Sequence, residues 1–108
     1  MDAKTLVANC KKQKDQYLDS LHHGQTQVGQ QLQALALNAQ QKAQVLALLD
    51  GALTDQLYGL LLGLDGAASI GDEQHDFALY NEAGEAISGS GELEAQAYAQ
   101  LIEAATTD

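Results

Sequence analysis

Apolar positions recur at steps of three and four along most of this chain, and alternate with polar ones over one short stretch. The densest pattern lies in Asn38–Gly66, where Leu46, Leu49, Leu53, Leu57, Leu60 and Leu64 keep to one helical face. Val45, Leu48, Ala52 and Leu61 widen that face, which predicts a helix packed on two sides at the centre of the core. Asn38 is placed to cap its first turn while Gln41 reaches back. Asp65-Gly66 supplies the left-handed residue that commonly stops a helix. Asp50-Gly51 interrupts the pattern, so the stretch is one helix or two hinged there.

Residues 2–23 predict a first helix, with Ala3, Val7, Cys10, Tyr17 and Leu21 in three-four alternation and Lys14 where an apolar residue belongs. Such a stripe resembles a coiled-coil seam, so the amphipathic segment 1–24 is a candidate oligomerisation arm, ended by Gly24. Gln25–Leu37 predicts a second helix carrying Val28, Leu32, Leu35 and Ala36, which Gly29 weakens by ~1 kcal/mol relative to alanine.

Beyond Gly66 the period changes. His75, Phe77 and Leu79 alternate with Asp76, Ala78 and Tyr80 as in a strand. Asn81-Glu82-Ala83-Gly84 makes a turn, and Glu85–Ser88 a return strand. Gly89 and Gly91 break the chain, Ser88 or Ser90 can cap, and Glu92–Ala105 predicts a last helix on Leu93, Ala97, Tyr98, Leu101, Ile102 and Ala105. The expected fold is mainly α. Three to four helices pack around the central leucine-rich helix, with a small β-hairpin before the C-terminal one, in a single small helical domain over residues 1–108. A lone hairpin is marginal in water, so it must lie on the leucine helix or extend a sheet of another chain.

Charge sharpens this picture. The formal net charge is −10, with five lysines and no arginine. The first 42 residues hold all five lysines against Asp2, Asp15 and Asp19; after Lys42 come twelve carboxylates and no basic side chain. Such a field repels phosphates and anionic membranes and favours a basic partner, although acidity also serves plain solubility. Cys10 is alone, so no internal disulfide forms and a reducing cytoplasm is expected. The first residues lack the apolar run of a signal peptide. The longest uncharged leucine-rich run, Gln56–Leu64, falls short of the ~20 residues of a membrane span. Gly59 and Gly63 are therefore expected to serve close packing in a soluble helix.

Candidate chemistry is sparse. His22 and His23 are adjacent on a helix, about 100° apart, and are poorly placed to share a metal. His75 lies among Asp72, Glu73 and Asp76, but in a strand it faces away from Asp76, which gives a solvated edge better than a proton-transfer pair. Asp72–Asp76 lacks the glycine and distant glutamate of a calcium loop. Gly66–Gly71 has a phosphate-loop outline with Asp72 where lysine is required. Gly89-Ser90-Gly91 is not a nucleophile elbow. Lys11 and Lys14 could lower the Cys10 thiol pKa, yet the thiol belongs to the apolar stripe.

These residues imply no enzyme, no cofactor and no metal. They point to a small acidic protein-binding module of bacterial or phage type, cytoplasmic, acting as an inhibitor or immunity protein. It would cover a basic surface of a toxin, nuclease or other nucleic-acid-binding protein, without binding nucleic acid or membrane itself. Asp72, Glu73, Asp76, Glu82 and Glu85 are the expected partner-binding residues. The alternative is a structural or regulatory homodimer through the N-terminal helix.

Overall fold

A computed structural model of the chain describes residues 1–104, and it is mainly helical. α1 spans Ala3–His22, α2 Gln27–Ala34 and α3 Ala39–Leu64. A long loop then leads to α4, Glu92–Ala97, which runs on as a π-helical segment, Tyr98–Glu103. Ala105, expected in the last helix, lies outside the described residues.

Local chemistry explains most boundaries. Asn38 and Gln41 form the reciprocal cap: Gln41 N donates to Asn38 Oδ1 at 2.8 Å and Asn38 N to Gln41 Oε1 at 3.2 Å. Gly24 and Gly66, with φ of +67° and +79°, end α1 and α3. In each case the next amide reaches five residues back, Gln25 N to Ser20 O at 3.0 Å and Ala67 N to Leu62 O at 2.9 Å. α3 is one continuous helix through Asp50-Gly51. α2 is shorter than expected: Thr26 caps it, accepting from Gly29 N at 3.0 Å. Ala36, at φ +52°, turns the chain away after Leu35.

The chain divides into two compact units. One comprises residues 12–54. Leu21, Leu32 and Gly29 are its buried residues. A Cβ on Gly29 would stand 3.0 Å from Gly24 Cα and 3.1 Å from Leu21 O, so glycine lets α2 approach the end of α1. Lys14, its side chain only 10% exposed, donates to Asp50 Oδ1 at 2.6 Å and Thr54 Oγ1 at 3.0 Å.

The other unit joins residues 1–11 to the chain from Asp55 onward. Its core is Ala3 and Val7 of α1, Leu61 of α3, Leu93 and Ala97 of α4, and Leu101 of the π-helical segment. Leu57, Tyr58, Leu62 and Ile102 pack around them.

Two expectations need correction. Leucine-rich α3 is not a buried core helix: Leu61 and Gly63 are its buried residues, and Leu60 is 44% exposed. It is long and apolar enough to cross a membrane by length and composition, and 6% of its most apolar 18-residue window is buried. The run without charge, Gln56–Leu64, understated its apolar length because Asp50 and Asp55 are isolated within it.

The second correction concerns the β-hairpin, which is absent: the described residues hold no strand. The turn forms as expected, with Gly84 at φ +80° and Gly84 N donating to Asn81 O at 3.0 Å. Pairing stops at one bridge, Tyr80 with Ala86. Ser88 Oγ accepts from Leu79 N and donates to Phe77 O, both at 2.9 Å, taking the place of a backbone ladder. Gly89 N then turns to Asp65 Oδ1 at 2.6 Å, which draws the return segment away.

Candidate functional site

The five carboxylates expected to bind a partner are all exposed. Asp72, Glu73 and Asp76 stand on segment 71–78, in which every residue is exposed. A tight turn presents this segment. Ile70 N donates to Glu73 O at 2.9 Å, and Gly71 takes φ +65°. Ile70 anchors the turn against α3 in the space that a side chain at Gly63 would fill, so Gly63 serves close packing within the fold. Gln74 Nε2, donating to Gly66 O at 2.9 Å, ties the segment to the end of α3.

Glu82 and Glu85 belong to a second group, organised by Asn81. Its Oδ1 accepts from Ala83 N at 2.9 Å and Glu85 N at 3.0 Å, while Nδ2 donates to Met1 O at 2.8 Å and Glu85 Oε1 at 3.1 Å. The Met1 ammonium hydrogen-bonds Glu82, and that bond holds the Glu82 carboxyl below the usual carboxylate range. Among the described residues no hydrogen bond or ion pair joins the two groups.

An open cleft of about 480 Å³ adjoins the second group, lined among others by Asp2, Lys4, Glu85 and Glu92. Three carboxylates against two ammonium groups, of Lys4 and of the Met1 terminus, leave it a slight acidic excess. Asp2 there accepts from Thr5 N at 2.8 Å, and the Thr5 side chain, followed by this amide, holds its carboxyl below the usual carboxylate range. The sequence spacing did not show that residues 2, 85 and 92 come together.

Two further features were missed. Phe77 and Tyr80 are 40% and 60% exposed, interleaved with the carboxylates, because without a hairpin they have no apolar layer to enter. Their placement beside Asp76 and Asn81 was the available signal. Asp65, by contrast, is buried and structural. Oδ1 accepts from Gly89 N and Oδ2 from Glu94 N at 3.1 Å, so it caps α4 from the end of α3. Neither Ser88 nor Ser90 is the principal cap; Ser90 Oγ only accepts from Glu92 N at 3.3 Å.

The remaining candidates stay apart. His22 and His23 stack edge to face at 4.9 Å, and His23 Nδ1 lies 2.9 Å from Asp19 O. His75 Nε2 lies 3.5 Å from Glu73 Oε2 in the open. No group of three or more potential ligands that could hold a metal occurs among the described residues. Cys10 is half-buried, and burial pushes its thiol pKa up, opposite to the lowering that Lys11 and Lys14 could have caused.

Comparison with protein families, curated proteins and solved structures gives no match to this chain, so its function is argued from its own residues.

Proposed function

We propose that this protein is an acidic protein-binding module. It covers a basic surface of a toxin, nuclease or other nucleic-acid-binding protein, as an inhibitor or immunity-type protein does. The observation that carries the reading is the charge split: twelve carboxylates and no basic side chain follow Lys42. Opposed fields raise association rates and fix register with a basic partner. Asp72, Glu73, Asp76, Glu82 and Glu85 are the contact carboxylates, and their exposure supports that role. Phe77 and Tyr80 add exposed rings of the kind that anchor interfaces. The cleft lined by Asp2, Glu85 and Glu92 suits a lysine or arginine side chain of the partner.

On this reading the protein is cytoplasmic, bacterial or phage, and not an enzyme, and it binds neither nucleic acid nor membrane directly. The second reading is a structural or regulatory helical homodimer with no inhibitory role. Its N-terminal seam has Tyr17 39% exposed, while Ala3, Val7 and Leu21 are buried within the chain.

Affinity capture from the native host at low salt tests the first reading. The expected result is one basic protein, released by raising the salt and rebinding as the purified component. Retention only of proteins that stay bound at high salt would contradict it.

A further inference from the structure

We propose that the outer main-chain edge of residues 76–80 accepts an extended, lysine- or arginine-bearing segment of the partner as an added β-strand. The inference rests on the acidic-module reading and specifies how such a partner docks.

Hydrogen bonding along this segment is one-sided. Leu79 O accepts from Ile87 N at 2.8 Å, and Asn81 N donates to Glu85 O at 2.9 Å. The Ser88 hydroxyl meets Leu79 N and Phe77 O. All of these groups belong to odd-numbered residues. In an extended chain the amides and carbonyls of alternate residues point to opposite edges, so those of Asp76, Ala78 and Tyr80 point outward. Among the described residues those outward groups make no hydrogen bond, and all three residues are exposed. The rings of His75 and Phe77 meet edge to face at 6.4 Å, as side chains two apart on one face of an extended chain do. Residues 71–88 contain neither proline nor lysine, the residues that commonly block such an edge.

Charge selects the occupant. Asp72, Glu73, Asp76, Glu82 and Glu85 flank the edge, and no lysine or arginine follows Lys42. A basic side chain opposite Asp76 makes a favourable cross-strand pair, whereas a second copy of this chain brings the same five carboxylates against the first. By alternation Tyr80 shares the face of Asp76, so its exposed ring is available to the same cation. Main-chain pairing supplies affinity in such additions, and alternate side chains supply specificity.

The probe that tests this is an end-blocked seven-residue peptide of alternating lysine and valine, added to the full chain. Amide hydrogen exchange followed by NMR is expected to slow at Asp76, Ala78 and Tyr80 as the peptide binds. The same peptide N-methylated at two adjacent central residues keeps its charge but presents a blocked main chain on either edge. It is expected to bind about tenfold more weakly. Ala78→Pro removes an outward amide that has no partner within the chain, so its melt is retained while peptide affinity falls by a similar factor. Absence of binding at millimolar peptide, binding without protection of the three amides, or equal binding of the methylated peptide overturns strand addition. Protection of the same amides in the chain alone as its concentration rises would give the edge to a second copy and overturn the basic occupant.

The triple variant Asp72→Asn/Glu73→Gln/Asp76→Asn separates this inference from the reading beneath it. Weaker binding by that variant, with none of the loss in Ala78→Pro, overturns strand addition and leaves the acidic module standing. Undiminished binding by the triple variant contradicts the acidic module itself, and the basic occupant with it.

Discussion

Lys14 occupies a position where the stripe of α1 would take an apolar side chain, and its surroundings explain the exception. Burial works against its charge, but hydrogen bonds from its ammonium to Asp50 and Asp15 outweigh that, and its pKa is raised. The stabilisation is therefore complete below the pKa of an unfolded lysine, about 10.4, and is lost as pH rises through the higher folded value. Lys14→Met is expected to lower stability at neutral pH by about 1–2 kcal/mol, since half-exposed Asp50 rehydrates easily. Urea unfolding from pH 8 to 11 should show the wild type losing its advantage at the alkaline end. A constant difference across that range would remove the ion pair from the explanation. Asp65 works in the opposite setting, as a buried carboxylate shared by Gly89 N and Glu94 N. Asp65→Ala leaves both donors unmet and should cost about 1–3 kcal/mol, with Asp65→Asn between the two. Equal midpoints for all three proteins would mean that water serves the α4 terminus as well.

Among the elements, the glycines of the helices separate two physical roles. Gly29 is required by close approach to Gly24 and Leu21, so Gly29→Ala should destabilise despite the gain in helix propensity. Gly59 faces open space, so Gly59→Ala should stabilise by about 1 kcal/mol. Thermal melts of the two variants moving in the same direction would contradict this. The same distinction shows what the sequence could reveal. Helix starts and stops were legible wherever the signal is local, as at Asn38-Gln41, Gly24 and Gly66. The hairpin failed because alternation at His75–Tyr80 reports only local preference. Whether a ladder forms depended on Ser88 and on Asp65, nine to twenty-four residues away in sequence from the amides they take. The acidic residues were legible as exposed groups, but the meeting of Asp2, Glu85 and Glu92 depends on α1 packing against the C-terminal helix.

For the molecule as a whole, the density of leucines in α3 pointed to the wrong core. Periodicity gives a face, but not what the face touches. The residues that fill the unit built on α4 are Val7, Leu61, Leu93 and Leu101. Leu101→Ala should therefore cost about 2–5 kcal/mol by opening a cavity, and Leu60→Ala less than about 1 kcal/mol because Leu60 is already partly hydrated. Comparable losses in chemical denaturation would return α3 to the centre of the fold.

Charge is the other property of the whole molecule, and the proposed function rests on it. Carboxylates on exposed segments contribute little to stability, and their effect belongs in the rate of encounter with an opposite field. The most direct measurement is the association rate of wild type and of the triple variant Asp72→Asn/Glu73→Gln/Asp76→Asn with the captured basic partner, at low and near-physiological salt. The account predicts an unchanged melt for the variant, a slower association at low salt, and a shallower dependence on salt than the wild type. Equal rates for the two proteins at both salt levels would contradict it.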